Sequence, residues 1–585
     1  MNQLDEAVAR YQKLLETDPF RDLSWAGALA EKMQAERLTQ GGRLICPFLR
    51  PNFVSRRQYE TLVRAAEGLF GAIARVKQMA LANPALLSRM GLLPAEKMLA
   101  AIDPRYPFLA VTSLLDTHLN NGNMHFVEYA ADTPVGVAYA EALADVFYDC
   151  PPVKEFRKRY SLQKLGGKKH LLAALLKAFK QFGRGKQPGI AILGFRQNFQ
   201  ANEEGEYALL RSYFRSEGYQ TEIVSPDQLE YRGGVLRRGD YVIDLIWRRL
   251  KVQEFLLRYD LSHPLVRAYR DGAVCVVNSF RSELAHKKAI FDLLTDEAVT
   301  ATFPAAEKKA IRQYVPWTRV VAAGRTTYQD QTIDLLDFVR KNREKLVLKP
   351  NDDSGENHSI KGWQTDDAGW DRAISRALRI PYVAQEKVEA TYAPFPLLLY
   401  GELEVRQMKV DLHPHAYLGK VQGCSSWLSA ANGGFSTVTG LAPTFILEPR
   451  SCAAAELRRP APYAPLKAAA SDRRRHFHLG PRVSALRFAP EQHPSTHLAF
   501  GPKSAPAMPG RGKDIHHEDS QSMRGIACAR CRRDFRRMLA DLHEITRRRW
   551  QHPHVARSGR LQKCLGKSGS RQGRCAPGRA CGNGR

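Results

Sequence analysis

Over residues 1–105 the apolar positions follow a helical spacing. Leu4, Ala7, Tyr11, Leu14 and Leu15 form one stripe, and Leu62, Ala65, Leu69, Ile73 and Val76 form another. Steps of three and four residues put such positions on one helix face. Asp18-Pro19 and Pro51-Asn52 break the run. The period then changes. PFLAVTSLLD (107–116) and MHFVEY (124–129) read as strands, and the NNGN between them as a tight turn. Asn-Gly suits the type I′ turn that joins antiparallel strands, so this stretch predicts a β-hairpin. ADTPVG ends it, and VAYAEALADVFYD predicts a helix.

Residues 150–187 form a basic connector with helix-forming stretches. Beyond it GIAILGF, YQTEIV, DYVIDLIWRRL and AVCVVNSF read as strands, with the helix EEGEYALLRSYFRSEG between the first two. That alternation predicts an open α/β sheet. From 286 to 449 the pattern is α+β. HKKAIFDLLTD and WDRAISRAL are helices, KLVLKP and YVAQEKVEA are strands, and 397–429 suggests several strands in succession. The implied regions are 1–106 (helical), 107–187 (hairpin and connector), 188–285 (α/β), 286–449 (α+β) and 450–585 (a tail). No repeat of 20–50 residues is visible.

The net charge of +28 points first to nucleic acid, but its distribution changes that picture. Residues 450–585 hold 29 Lys+Arg against 9 Asp+Glu, and the remaining 449 residues hold 59 against 51. The excess belongs to the tail. Rich in Arg, Pro, Ala, Ser, Gly and His, the tail has too little apolar surface to offset its ordering entropy, so the expectation is disorder. It also resembles a GC-rich gene read out of frame. It can grip nucleic acid through phosphates, but its aromatics are too sparse for base stacking. Cys528 and Cys531, with Cys564 or histidines, lack the second close pair of a zinc knuckle. The body cysteines Cys46, Cys150, Cys275 and Cys424 have no disulfide or metal spacing. With no signal-like start and no apolar run of 18 residues, a cytoplasmic protein without membrane spans is expected.

Three constellations carry chemistry. Asp116 and Glu128 sit on the two hairpin arms, where strand pairing can set their carboxylates side by side. Such a pair suits Mg²⁺, which takes one or two protein carboxylates plus phosphates. The spacing fits equally a strand-capping Asp116 and a solvated Glu128. KLVLKPNDDSGENHSIKGW delivers Lys349 at a strand end, then a loop with Gly355, then Lys361. A lysine there can pair with phosphate and the loop can fold N–H groups over it, although no Walker A sequence is present and an ordinary hairpin reads the same way. PYVAQEKVEA can offer backbone groups to an adenine edge, or be a plain strand. Lys287 and Lys288 open a helix.

In this order the pieces resemble the circularly permuted ATP-grasp proteins, including the synthetase domain of glutathionylspermidine synthases, over roughly residues 45–448. EYAADTP (128–134) looks like their E-[YI]-N-A-D-T-P segment, with Asp116 twelve residues earlier. YVIDLIWRR, the Lys288 helix, VLKP, YVAQEKV and NGGFSTVTGLAPTFIL follow in the family's order. The resemblance implies a circularly permuted ATP-grasp fold and an ATP-dependent carboxylate–amine ligase. Its cofactors would be ATP and Mg²⁺, and its substrates a small-molecule or peptide carboxylate and an amine. Asp116 and Glu128 would hold Mg²⁺. Lys288, Lys349, Gly355 and Lys361 would serve the nucleotide, and Gln385, Glu386, Lys387 and Val388 would form the adenine hinge. Arg248 or Arg249 would face phosphate or an acidic substrate, as the catalytic pair. Two departures bear on Mg²⁺ affinity and transition-state stabilisation: the family's Asn is Ala130 and its Arg is Leu114. Asn120, Asn121, Asn123 or water are the candidates to fill the gap. A later family Arg is replaced by Trp427. The alternative reading is a nucleotide-binding relative without ligase activity. One spatial expectation governs the rest: the hairpin must fold over lysine-bearing strands some 220 positions later.

Overall fold

The computed structural model describes residues 3–449 except 121–122, 184, 186, 197–204, 353–357, 400 and 431–437. Expectations for Gly355, for the NNGN turn and for the tail lie outside these residues. The described residues belong to one compact unit. Strands and helices mix throughout. In chain order the elements that position the site are α1 (Arg56–Ala82), β1 (Thr112–Asn120), β2 (Asn123–Ala130), α2 (Val137–Tyr148), α3 (Lys168–Phe182), β3 (Ile190–Leu193), β4 (Thr221–Val224), β5 (Leu245–Arg248) and β6 (Cys275–Val277). They continue with β7 (Thr318–Val320), β8 (Leu346–Pro350), β9 (Ile360–Lys361), α4 (Asp367–Ala377), β10 (Tyr382–Glu386), β11 (Tyr392–Leu399), β12 (Glu402–Tyr417), β13 (Lys420–Ala430) and β14 (Thr439–Ala442).

Three sheets organise them. β6, β5, β3 and β4 lie side by side, all parallel, as the strand–helix alternation predicts. Every residue of β3 and β5 is buried, which is why these strands read as continuous apolar runs. A second sheet orders β7, β10, β8 and β9, all antiparallel. The third runs β14, β13, β12, β1, β2, with β11 against the outer part of β12. The hairpin β1–β2 is therefore early in sequence, yet it pairs with β12, almost 300 positions later.

Several boundaries moved. β1 starts at Thr112, not at 107. DYVIDLIWRRL is two strands: Tyr241–Val242 belongs to a small separate sheet and only Leu245–Arg248 to the parallel one. The helix expected from Lys287 is broken. Glu283–His286 and Ala289–Leu294 flank Lys287 and Lys288, and Lys287 has an extended backbone. The helical region 1–106 also holds a strand, Asn52–Ser55, parallel to Thr444–Pro449. Its long helix α1 begins with a capping box between Ser55 and Gln58, which satisfies two backbone donors reciprocally. Leu62, Ala65, Leu69, Ile73 and Val76, the stripe seen in sequence, are all buried in the main core.

Candidate functional site

A cleft of about 560 Å³ opens between the second and third sheets. Alternation along β8 decides which side chains face it. Leu346 and Leu348 pack with Val339, Trp370 and Ile374 in a core, so Val347 and Lys349 turn to the cleft. Register carries that face across the sheet: Val347 lies opposite Lys361 on β9 and Gln385 on β10. Gln385, Glu386, Lys387 and Val388 line the cleft with Lys349 and Lys361. The Gln385 side chain is buried and donates to Thr318 Oγ1 at 3.1 Å. The N–H groups of Glu386 and Lys387 donate to the carbonyls of Trp317 and Lys345, at 2.9 and 2.8 Å. The Glu386 carboxylate accepts from the Tyr328 hydroxyl at 2.9 Å.

The opposite wall is the hairpin. Asp116 and Glu128 pair directly across β1 and β2, point into the same cleft and are partly buried. Strands some 220 positions apart therefore share one cavity. Lys288 Nζ stands 2.8 Å from Glu128 Oε1, and Lys349 Nζ donates to the Val127 carbonyl at 3.4 Å. Lys288 is not on the cleft lining; it is nearly buried behind Glu128. Asn351, immediately after KP, ties these parts together. Its carbonyl accepts from the Lys288 N–H at 2.9 Å, and its side chain accepts from the Ala289 N–H at 2.8 Å.

Burial raises the Asp116 carboxyl above its ordinary range; Glu128 and Asp411 add to this, while His413 and His118 oppose it. Glu128 goes the other way. Burial would raise it, but Lys288 and Lys349 hold it below the usual carboxylate range. Burial lowers the Lys349 ammonium to about 8 in spite of Glu128. Two carboxylates facing each other among lysines suit a hard cation that arrives with phosphates. They do not make a free-standing metal cage, for among the described residues no three His, Cys, Asp or Glu side chains are arranged to hold a metal. The donor set fits Mg²⁺ with a nucleotide.

Arg248 is not at the cleft. Its side chain is wholly buried and paired with Asp132. It also donates to the Leu250 carbonyl and Ser282 Oγ, both at 2.7 Å, and to the Asn278 carbonyl at 3.2 Å. The expectation that it faces a substrate therefore does not hold in this geometry, because the buried carboxylate and carbonyls take its donors. The Asp of the EYAADTP segment is thus tied to the parallel sheet. Arg249 lies elsewhere again, 2.9 Å from Glu206, on a second cavity of about 480 Å³ that Trp427 also lines. Asn123 cannot fill the coordination gap: it is exposed at the far end of β2. Its rung is four residues from Asp116 along β1, about 13 Å at ~3.3 Å per residue. The two family departures, Leu114 and Ala130, are a single cross-strand pair.

Residues not singled out from sequence stand on the same face: His118, Lys409 and Asp411 line the cleft, and His413 lies 3.1 Å from Asp116. The alternation of Lys409, Asp411, His413 and His415 along β12 was the available signal.

No family model matches the chain, and no curated protein matches it. Among solved structures, a glutathione synthetase-like effector (GSS30) from Globodera pallida in its apo form is similar, with 13% identity and a TM-score of 0.52, over 74% of this chain and 98% of that one. The chain shares its fold with that effector. The ATP-grasp ligase PsnB gives a TM-score of 0.24 at 11% identity, over 44% of this chain and 88% of that one. A RimK-domain ATP-grasp protein from Sphaerobacter thermophilus gives 0.22 at 15%, over 43% and 90%. Likeness at that level adds nothing about this chain.

Proposed function

We propose that the chain is an ATP-dependent carboxylate–amine ligase with a circularly permuted ATP-grasp arrangement. One observation carries the reading: Asp116 and Glu128 of the early hairpin line the same cleft as Lys349, Lys361 and the 385–388 segment. Asp116 and Glu128 would hold Mg²⁺, which with ATP supplies charge neutralisation at the phosphates. Lys349 and Lys361 bind phosphate oxygens as point charges. Lys288 orients Glu128 from behind. The 385–388 segment leaves β10 beside the cleft and presents its backbone to adenine, with Gln385 fixed by Thr318. In this role the protein positions reactants and stabilises charge. A substrate carboxylate would be phosphorylated to an acyl phosphate, with ADP released, and an amine would attack to form the amide. The carboxylate and amine partners are small molecules or peptides. Among the described residues no helix is long and apolar enough to cross a membrane.

A second reading has its own observation. The cross-strand pair on the Asp116 face, where the family carries Arg and Asn, is the apolar pair Leu114 and Ala130. That favours a nucleotide-binding protein without turnover. One experiment separates the two: ADP release is measured with panels of amino acids, peptides and amines, beside calorimetric binding of ADP with Mg²⁺. Binding with amine-dependent ADP release supports the ligase. Binding without release for any pair supports the second reading, and absence of binding sinks both.

A further inference from the structure

Six tryptophans lie among the described residues. Trp25 and Trp427 pack in or against the main core, Trp247 in the core of the parallel sheet, and Trp317 and Trp370 in or against the core behind β8. Trp363 belongs to none of the cores formed by the described residues. It is half-buried and lines the cleft beside Lys361 and the 385–388 segment. An indole is stabilised chiefly by apolar contact over its flat surface, and here the cleft side of it is open to a flat partner. The turn that carries the ring is firmly held. Arg343 donates to the Gly362 carbonyl at 2.6 Å, the Thr365 hydroxyl donates to the Lys361 carbonyl at 2.8 Å, and a Cβ on Gly362 would meet the Arg343 carbonyl. The ring also turns a face, not an edge, toward the 385–388 segment: Lys387 Nζ stands over it, 4.8 Å from its centre. Backbone segment and indole face therefore border the same part of the cleft.

We propose that Trp363 is the stacking platform for the nucleobase. The 385–388 backbone meets the edge of the base, the indole takes its face, and Lys387 covers the ring until the base enters. The inference rests on the nucleotide-binding reading above and names the class of base: a purine, whose two fused rings cover more of an indole than the single ring of a pyrimidine. Hydration decides between ammonium and base. Lys387 is exposed, and a solvated ammonium gives up little by leaving an aromatic face. A base gains more there, because its faces are poorly hydrated and stacking on an aromatic ring needs no hydrogen-bond partner. Stacking grades bases by the area they cover, so Trp363 separates purine from pyrimidine, while the edge contacts choose among purines. The phosphate end draws on different residues, Lys349 and Lys361 of β8 and β9.

The test uses the full chain with Mg²⁺ and three probes, ADP, CDP and inorganic tripolyphosphate, titrated by calorimetry with indole fluorescence read alongside. Expected for the wild type is tighter binding of ADP than of CDP, and quenching by ADP that tripolyphosphate does not produce. Trp363→Leu should weaken ADP by about 5- to 100-fold, weaken CDP less, and leave tripolyphosphate within about two-fold of wild type. Trp363→Phe, which keeps an aromatic face, should recover most of the ADP affinity. A merely structural tryptophan would lower ADP and tripolyphosphate together, and that parallel loss overturns the inference. So does ADP binding to Trp363→Leu within about two-fold of wild type. Wild-type ADP binding without quenching beyond that of tripolyphosphate overturns it as well, and this measurement needs no variant to fold. In each of these cases ADP still binds the wild type, so the nucleotide reading stands. Should the wild type bind neither ADP nor tripolyphosphate, that reading fails and the inference falls with it.

Discussion

Replacing Asp132 by leucine takes the carboxylate from a guanidinium that is wholly buried. Arg248 has no exposed side-chain surface and Asp132 has 1%. In the wild type, burial would raise Asp132, but Arg248 and His286 hold it below the ordinary range, so it is charged at neutral pH. Its second oxygen accepts from the Val252 N–H at 3.1 Å. Breaking a buried pair from one side costs about 3–5 kcal/mol, because the remaining charge has no water and loses its direct ion-pair partner, while the buried Glu283 carboxyl still acts on it. The bonds from Arg248 to Leu250, Ser282 and Asn278 survive, but carbonyl and hydroxyl dipoles cannot neutralise a full charge. Asp132→Leu should therefore lose about 3–5 kcal/mol in urea unfolding followed by fluorescence. Adding Arg248→Met removes the orphaned charge and should restore all but about 1–2 kcal/mol, chiefly the unpaired Val252 N–H. The coupling between the sites, read from the double-mutant cycle, should exceed about 2 kcal/mol. If Asp132→Leu costs less than about 1 kcal/mol, or if the double variant is as unstable as the two singles added, the pair is not the anchor described. A companion measurement bears on function. Under native conditions Arg248→Met should bind ADP within a few-fold of wild type, since Arg248 is off the cleft; a much larger loss would return it to the site.

Further outcomes can be checked. Lys349→Met should weaken ADP binding by about 10- to 100-fold, the worth of a charge-assisted hydrogen bond of ~1.5–3 kcal/mol. The same change should leave urea stability equal or higher, because burial already disfavours that ammonium; equal losses in both assays would mean a structural lysine. Lys77 is buried, donates to the Leu109 carbonyl at 2.5 Å, and is lowered by burial to about 7 in spite of Glu283. Its folded value lies below the unfolded value near 10.5, so the unfolded chain binds more protons between pH 7 and 10.5 and wild-type stability rises with pH there. The stability of wild type relative to Lys77→Met should therefore climb by on the order of 2 kcal/mol from pH 7 to pH 9; a fall over that window contradicts the assignment. Gly362→Ala would drive a Cβ into the backbone carbonyl of Arg343. It should cost ~1–3 kcal/mol in the same unfolding assay, with ADP affinity reduced through its neighbour Lys361.

Local pattern was enough for a good part of this protein. Period-two alternation in KLVLKP put Lys349 opposite the apolar core positions Leu346 and Leu348, whereas Asp116 faces Glu128 only because the register shifts between Asp116 and Thr117; the unshifted pairing would set it against Val127. The alternation follows from backbone geometry over a few residues, which any strand of that sequence obeys; the irregularity in the hairpin does not. The break at Lys287 and Lys288 was not legible, because it depends on Asn351 capturing the Lys288 and Ala289 N–H groups from another part of the chain. Arg248 and Arg249 looked alike in sequence; which carboxylate each met was settled by how the parallel sheet packs on Asp132 and Glu206. The same holds for His413. A strand announces its two faces in its own residues, but its partner and register are chosen by pairing across long stretches of chain, where hydrogen bonds and buried area are gained only after distant segments meet. So the sequence determined the carboxylates, the lysines and their order. Only the tertiary structure decided that they share a cleft and that a histidine stands beside Asp116.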